Sequence, residues 1–192
     1  MNPFSTSHWT PGAIPFLADN GTDLFDWNRL VGQMTRLGPI QQIVGPHGSG
    51  KSTFLASLTK QLEKRNMNVR SVMLTSECRR LSDDFRPSKS RSSGDGSTFF
   101  LDGYEQLSMT RRFLLRQRGW HEKARLIVTC HRPAWRVPIL YETKPLWTVF
   151  LRIVQELTRE TTSMDETELQ RIFLASGRNF RTALLSLYDY WE

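Results

Sequence analysis

The chain has 192 residues, a formal net charge of +7 and a sequence pI near 9.8. With 39% hydrophobic and 23% charged residues, this length favours one globular domain with a sizeable core and argues against two full domains. The basic charge suits contact with polyanions, although a solvated basic surface produces the same composition.

The sequence also indicates a cellular setting. It has no uninterrupted apolar stretch long enough to cross a bilayer, and its first residues lack the layout of a signal peptide. We therefore expect a cytoplasmic protein without a membrane partner. Cys78 and Cys130 are too few for a disulfide framework and predict reduced thiols.

The first segment, residues 1–21, is rich in Pro, Gly, Ser and Asn but also holds aromatic residues. This composition predicts an irregular arm that packs on the domain. Two interpretations remain open for Phe4, Trp9 and Pro11-Gly12: they stack on an adenine ring, or they only bury the arm.

A helix is predicted from Asp23 to about Leu37, capped by Thr22, and an apolar strand at 40–44 follows it. The strand enters a glycine-rich segment with the pattern Gly-x-x-x-x-Gly-Lys-Ser. The predicted phosphate-binding residues are Gly45, Pro46, His47, Gly48, Ser49, Gly50, Lys51, Ser52 and Thr53.

This pattern predicts an anion site because glycines allow backbone turns in which successive N–H groups face the oxygens of a polyphosphate. The helix expected at 51–64 adds the positive end of its dipole at the same point. Lys51 would reach the β- and γ-phosphates, and Ser52 would offer its hydroxyl to Mg²⁺.

Next comes a predicted strand at 68–75 and then a long polar loop at 76–97. This loop is either an ordinary flexible excursion, or a basic segment that closes over a ligand or binds a partner. The apolar strand that follows ends at Asp102, where a phosphate-loop enzyme places the carboxylate that holds Mg²⁺ beside Ser52.

A helix is predicted at 105–119, with its apolar residues inward and its arginines outward. The expected inward residues are Leu107, Phe113 and Leu114, and the expected outward residues are Arg111, Arg112, Arg116 and Arg118. A further buried strand runs into Thr129, which would stand beside Asp102 and orient water or sense the γ-phosphate. Arg132 either pairs with the negative charge of a phosphate or forms a local salt bridge.

The rest of the chain predicts an irregular strand at 137–142, because it contains Pro138, and then three helices. These helices are expected at 146–158, 164–175 and about 180–190. The predicted organisation is an N-terminal arm at 1–21, a phosphate-loop core at 22–145 and a helical, lid-like segment at 146–192.

Three segments resemble P-loop NTPases of the STAND/NACHT and AAA+ groups. The segment 101–107 is similar to the Asp-Gly-x-Asp-Glu-Leu signature, and 126–133 is similar to a Val-Thr-Ser-Arg-Pro sensor. Gly177-Arg178-Asn179-Phe180-Arg181 resembles the start of a lid helix whose arginine reaches the nucleotide phosphates. The resemblance implies a three-layer α/β fold with a mostly parallel sheet, in which an extra strand separates the first two.

The same resemblance implies that the ligand is ATP with Mg²⁺, held by Ser52 and Asp102. It gives Lys51, Arg132 and Arg181 roles toward phosphate, and Glu105 or Thr129 a role toward water. Two residues depart from the family pattern at positions that matter for hydrolysis. Gly103 stands where many relatives place the catalytic Glu, and Gln106 stands where the pattern has its second acidic residue. Hydrolysis is therefore expected to be slow or to need a protein partner.

Several functions remain open. The first is a nucleotide switch with weak ATPase activity, acting alone, as an oligomer or with a partner. The arginines at 111–118 support a nucleic-acid-associated ATPase, and the basic 79–91 segment supports a P-loop kinase of a small molecule. A module that binds ATP without hydrolysing it is the fourth.

Overall fold

The computed structural model describes residues 2–18, 25–78, 81, 85, 97–118, 120, 124–158 and 165–191. The expected Thr22 cap and nearly all of the proposed lid at 79–91 lie outside these residues.

Five parallel strands form one sheet with the order β2-β3-β4-β1-β5. The strands are β1 (Ile40–Val44), β2 (Asn68–Met73), β3 (Ser97–Asp102), β4 (Ala124–Cys130) and β5 (Ile139–Glu142). β4 lies between β1, which leads into the phosphate loop, and β3, which ends at Asp102, and this confirms the predicted sheet with an extra strand between those two. The register of β1 and β5 shifts between Gln42 and Ile43, so the irregularity expected beside Pro138 is present.

The helices are α1 (Trp27–Arg36), α2 (Lys51–Glu63), α3 (Met109–Arg116), α4 (Trp147–Thr158), α5 (Glu166–Ala175) and α6 (Phe180–Trp191). Their number and order follow the predicted pattern, and most ends fall within a few residues of it. The N-terminal cap of α1 is Asp26, whose side chain accepts a hydrogen bond from the Arg29 amide.

The chain divides into two compact units. The first contains residues 1–25, 46–57 and 143–192, and its apolar core gathers Phe4 with residues of α4, α5 and α6. The second contains residues 26–45 and 58–142, and its core lies on β3 and β4. The domain boundaries predicted from the sequence stay a prediction.

The prediction for 105–119 is wrong in two respects. A short 3-10 helix, Tyr104–Gln106, precedes α3, and Ser108 begins α3 by accepting a hydrogen bond from the Arg111 amide. Phe113 and Leu114 are exposed, and Leu115 is the α3 residue that enters the core. The cause is the shorter helix, since a new start at Ser108 decides which side faces the core.

The N-terminal arm is buried through Phe4, which is fully inaccessible to solvent. The Phe4 ring makes an edge contact with the Trp191 ring, with 5.7 Å between the ring centroids. The Trp9 indole N–H donates to the Phe4 carbonyl at 2.9 Å. Phe4 therefore cannot stack on an adenine ring, and burial of the arm is the correct interpretation for this residue.

Candidate nucleotide-binding site

The phosphate loop leads from β1 into α2 and takes the conformation that its glycines permit. Gly48 and Gly50 have φ angles of 68° and 90°, in the left-handed region. α2 begins at Lys51, and the Phe54 amide donates to the Gly50 carbonyl at 2.8 Å. The helix N-terminus therefore begins at the loop, as an anion site requires.

Two side chains bridge the loop from inside. The Lys51 amine is buried and donates to the Pro46 carbonyl at 2.8 Å, so its charge is held within the loop. The Ser49 hydroxyl donates to the same carbonyl at 2.8 Å and lies 2.7 Å from the Thr143 hydroxyl. No local sequence pattern marks Thr143, which is 94 positions away from Ser49.

The start of α6 contacts the tip of the loop within the same unit. The Phe180 amide donates to the Gly48 carbonyl at 3.2 Å. Asn179 caps α6 by accepting from the Arg181 and Thr182 amides at 3.0 and 3.3 Å. A Cβ built on Gly48 would lie 1.8 Å from the Asn179 Oδ1 atom, so the two residues are in close contact.

This contact places the exposed Arg181 in the first turn of a helix that is bonded to the phosphate loop. Arg181 is the predicted site residue of the lid-helix segment, and the same segment contains Asn179, for which no role was predicted. His47 is exposed at the loop, and Ser52 and Thr53 are half-buried in the first turn of α2.

Phe16 is an aromatic residue of the arm that was not among those expected near a nucleotide. Its ring makes edge contacts with Phe54 at 4.9 Å and Phe25 at 5.6 Å, and its amide donates to the Ser57 hydroxyl at 3.0 Å. A Cβ on Gly50 would lie 4.0 Å from the Phe16 ring. The arm therefore reaches the phosphate loop through Phe16 and not through Phe4.

In the second unit, the ends of β3 and β4 bring Asp102 and Thr129 together as predicted. The Thr129 hydroxyl donates to the Asp102 carboxylate at 2.5 Å and accepts from the Gly103 amide at 2.9 Å. Both of its hydrogen-bonding directions are therefore used to fix the carboxylate at the strand end.

Gly103 occupies a place where no other residue fits. Its φ angle is 84°, and a Cβ there would lie 2.6 Å from the Leu74 carbonyl oxygen. The backbone immediately after β2 thus excludes a glutamate directly after Asp102, which explains the departure found in the sequence.

Glu105 stands on the short 3-10 helix and pairs with His131, whose Nδ1 lies 3.1 Å from Glu105 Oε1. Its Oε2 is buried and has no hydrogen-bond partner among the described residues. A buried carboxylate oxygen without a partner is costly, which is the usual sign of a water or ligand at that point. Arg132, next along the chain, is exposed.

Neither a protein-family model nor a curated relative matches this chain. Solved structures do match its fold. Cdc6 from Pyrobaculum aerophilum superposes with a TM-score of 0.57 at 16% identity, over 82% of this chain and 57% of its own. The replication initiator DnaA bound to AMPPCP and single-stranded DNA also gives 0.57, at 15% identity over 90% of this chain and 61% of its own.

AMPPCP-bound DnaA from Aquifex aeolicus gives a TM-score of 0.52 at 17% identity, over 83% of this chain and 60% of its own. The chain has the fold of an AAA+ P-loop ATPase domain. At these identities the similarity concerns the fold alone, and the chain spans about three fifths of the length of these AAA+ structures.

In the described part of the chain, no helix is long and apolar enough to cross a membrane.

Proposed function

We propose that this chain binds ATP with Mg²⁺ and acts as a nucleotide switch with slow or partner-stimulated hydrolysis. The observation that carries the proposal is the phosphate loop itself, with Gly48 and Gly50 in left-handed conformations at the start of α2. The AMPPCP named with two structures of the same fold supports an adenine nucleotide as the ligand. The sequence also lacks the Asn-Lys-x-Asp guanine signature.

Two cations serve the phosphates in this proposal. Lys51 exchanges its bond with the Pro46 carbonyl for the charged oxygens of the β- and γ-phosphates, a stronger charge-assisted interaction. Arg181 reports on the γ-phosphate because it lies in the first turn of α6, the helix whose Phe180 amide donates to the Gly48 carbonyl. Arg132 is a third candidate for a phosphate contact.

Mg²⁺ prefers oxygen ligands, and Ser52 with Asp102 offers a hydroxyl and a carboxylate. The Asp102 carboxylate is already oriented by Thr129, so the residues present suit the ion. When bound, Mg²⁺ would neutralise charge on the phosphate oxygens. The assignment of both residues to one ion rests on the order of the motifs in the sequence.

Water activation is assigned to Glu105, with Thr129 as the residue that orients the neighbouring carboxylate. Glu105 takes this role because Gly103 has no room for an acid and because the Glu105 Oε2 atom lacks a protein partner in the described chain. Its pairing with His131 holds it in place, which suits slow turnover until a partner moves it.

Titration calorimetry with Mg²⁺ and a non-hydrolysable ATP analogue tests the proposal. Lys51→Ala should abolish measurable binding, because the buried amine is the loop's own counter-charge. Lys64→Ala, which removes an exposed lysine just beyond α2, is the matched control and should bind like the wild type. Equal affinity of the Lys51 variant would refute the assignment.

A DNA-associated ATPase is the second candidate. The net charge of +7, the arginines of 111–118 and the single-stranded DNA in one matched DnaA structure support it. DNA binding that weakens steeply with added salt is the expected result, because phosphate contacts release counterions. Absence of any binding at low salt would eliminate this candidate.

A further inference from the structure

An exposed apolar surface lies on α3 and the loop after β4, within the second unit. Met109, Phe113 and Trp135 are 76%, 62% and 73% exposed. Met109 and Phe113 share one face of α3, and Arg116 continues that face one turn later. The Arg116 guanidinium donates to the carbonyls of Trp135 and Arg136 at 3.2 and 3.3 Å, so the loop sits against this face.

The Gln42 side chain holds the loop that carries Trp135 through hydrogen bonds to its backbone. This side chain is 1% exposed in the buried strand β1. Its amide nitrogen donates to the carbonyls of Ala134 and Val137 at 3.1 and 2.6 Å, and its oxygen accepts from the Ala134 amide at 2.7 Å. A buried amide thus clamps both ends of the loop.

The loop also stores backbone strain. Arg136 has a φ angle of 55°, which costs a non-glycine residue free energy and is found where the surroundings enforce it. In the same loop, the Arg136 guanidinium carbon lies 4.1 Å from the centroid of the Trp135 ring. Strain and clamp together present an exposed Trp–Arg pair in one fixed arrangement.

Such an arrangement favours binding, because an anchor that is already ordered loses little conformational entropy when a partner arrives. Tryptophan and arginine are also the residues that dominate binding energy in protein interfaces. We call Met109, Phe113, Trp135 and Arg136 the Trp135 surface.

Charge indicates the chemistry of the partner. Residues 108–118 and 131–138 contain six arginines and no lysine, aspartate or glutamate. The arginines are Arg111, Arg112, Arg116, Arg118, Arg132 and Arg136. A complementary partner is therefore acidic.

The choice between an acidic protein and a nucleic acid follows from the apolar side chains. One face of the Trp135 ring is already covered by Arg136, so it is not open to a stacking base. Met109 and Phe113 add exposed apolar side chains, which form no favourable contact with phosphate groups. Methionine, aromatic residues and arginine, without lysine, are the composition of protein interface cores.

We propose that the Trp135 surface binds an acidic segment of a partner protein that also carries apolar side chains. The segment would insert apolar groups between Phe113 and Trp135 and pair its carboxylates with Arg136 and its neighbours. This proposal does not depend on nucleotide binding.

Fluorescence anisotropy with labelled synthetic probes tests it on the full chain. The probe is a short peptide that combines glutamate with leucine and phenylalanine. Two matched peptides replace the glutamates by lysine or the apolar residues by serine, and a single-stranded oligo-dT represents nucleic acid. The acidic, apolar peptide should bind, and both matched peptides should bind at least about tenfold more weakly.

Trp135→Ala should weaken the acidic, apolar peptide by about tenfold or more, as removal of a central aromatic anchor does. Arg136→Gly should also weaken it while relieving the strained backbone, so a folding defect cannot explain the loss. Tyr190→Ala, an exposed aromatic residue of α6, is the control and should bind like the wild type.

Three results would overturn the proposal. They are no binding of the acidic, apolar peptide to the wild type, equal binding by Trp135→Ala, and binding of oligo-dT alone in a manner that needs Trp135. The last result would assign the surface to nucleic acid.

Discussion

Gly48 and Gly103 both have positive φ angles, of 68° and 84°, and neither has room for a Cβ. At Gly48 the obstacle is the cap of α6, so the phosphate loop and that helix constrain each other. At Gly103 the obstacle is the backbone of Leu74, so the acid that would follow Asp102 is excluded. The lack of space at these two glycines thus ties the phosphate loop to α6 and keeps a carboxylate from following Asp102.

Gly48→Ala should destabilise the protein, because it combines a left-handed backbone, which costs about 1–2 kcal/mol, with a clash against Asn179. Asn179→Ala alone should cost about 1 kcal/mol through loss of the cap. The double variant should lose less free energy of unfolding than the two single losses added together, since the clash disappears. Urea unfolding of the four proteins measures the coupling, and strict additivity would contradict the contact.

Thr129→Val should leave ATP affinity nearly unchanged and lower the rate of phosphate release. The valine cannot donate to Asp102 or accept from the Gly103 amide, so the carboxylate loses its fixed orientation. Thr129→Ser keeps the hydroxyl and is the matched control. Wild-type turnover in the valine variant would remove Thr129 from the mechanism.

The element whose role the tertiary contacts define best is α3. It begins after the Ser108 cap and exposes Phe113 and Leu114, and two of its arginines, Arg112 and Arg116, donate to backbone carbonyls. The Arg112 guanidinium donates to the Leu107 and Glu105 carbonyls, both at 2.9 Å, and lies over the Tyr104 ring. It therefore ties α3 to the short helix that carries Glu105.

Arg112→Ala should lower the free energy of unfolding by about 1–3 kcal/mol, because two carbonyls lose a charged donor. Arg112→Lys should not restore it, since one ammonium cannot reproduce the forked geometry. Arg29→Ala, at an exposed arginine of α1, should change stability by less than about 0.5 kcal/mol. Denaturant unfolding distinguishes these expectations, and a stable lysine variant would contradict them.

Over the whole molecule, distant parts of the chain complete each compact unit. The first unit joins the N-terminal arm, the phosphate loop and the C-terminal helices, and the second joins α1 with the sheet. Phe4 is the arm's main contribution, since it lies in the apolar core with Phe150, Phe173 and Phe180. The arm is therefore part of the folded structure.

Phe4→Ala should cost about 3–5 kcal/mol, the usual loss when a fully buried aromatic side chain is removed. Phe113→Ala removes the same side chain from an exposed position and should be nearly neutral. Thermal or urea unfolding followed by circular dichroism compares the two. Similar losses, or a neutral Phe4 variant, would show that the arm does not contribute to the core.

The sequence by itself determined the succession of strands and helices along the chain and the glycine-rich loop, because apolar runs mark strands and glycines mark the loop. The place of an extra strand between the phosphate-loop strand and the Asp102 strand followed from the resemblance to P-loop NTPases, and parallel strands bring their carboxyl ends to one edge, which puts Thr129 beside Asp102.

The tertiary structure alone decided which apolar side of α3 is buried, which aromatic residue of the arm reaches the phosphate loop, and why Gly103 replaces an acid. The loop clamped by Gln42 and the contact of Asn179 with Gly48 also belong to this group. Each depends on residues far apart in the chain, and no local pattern encodes the packing that brings them together.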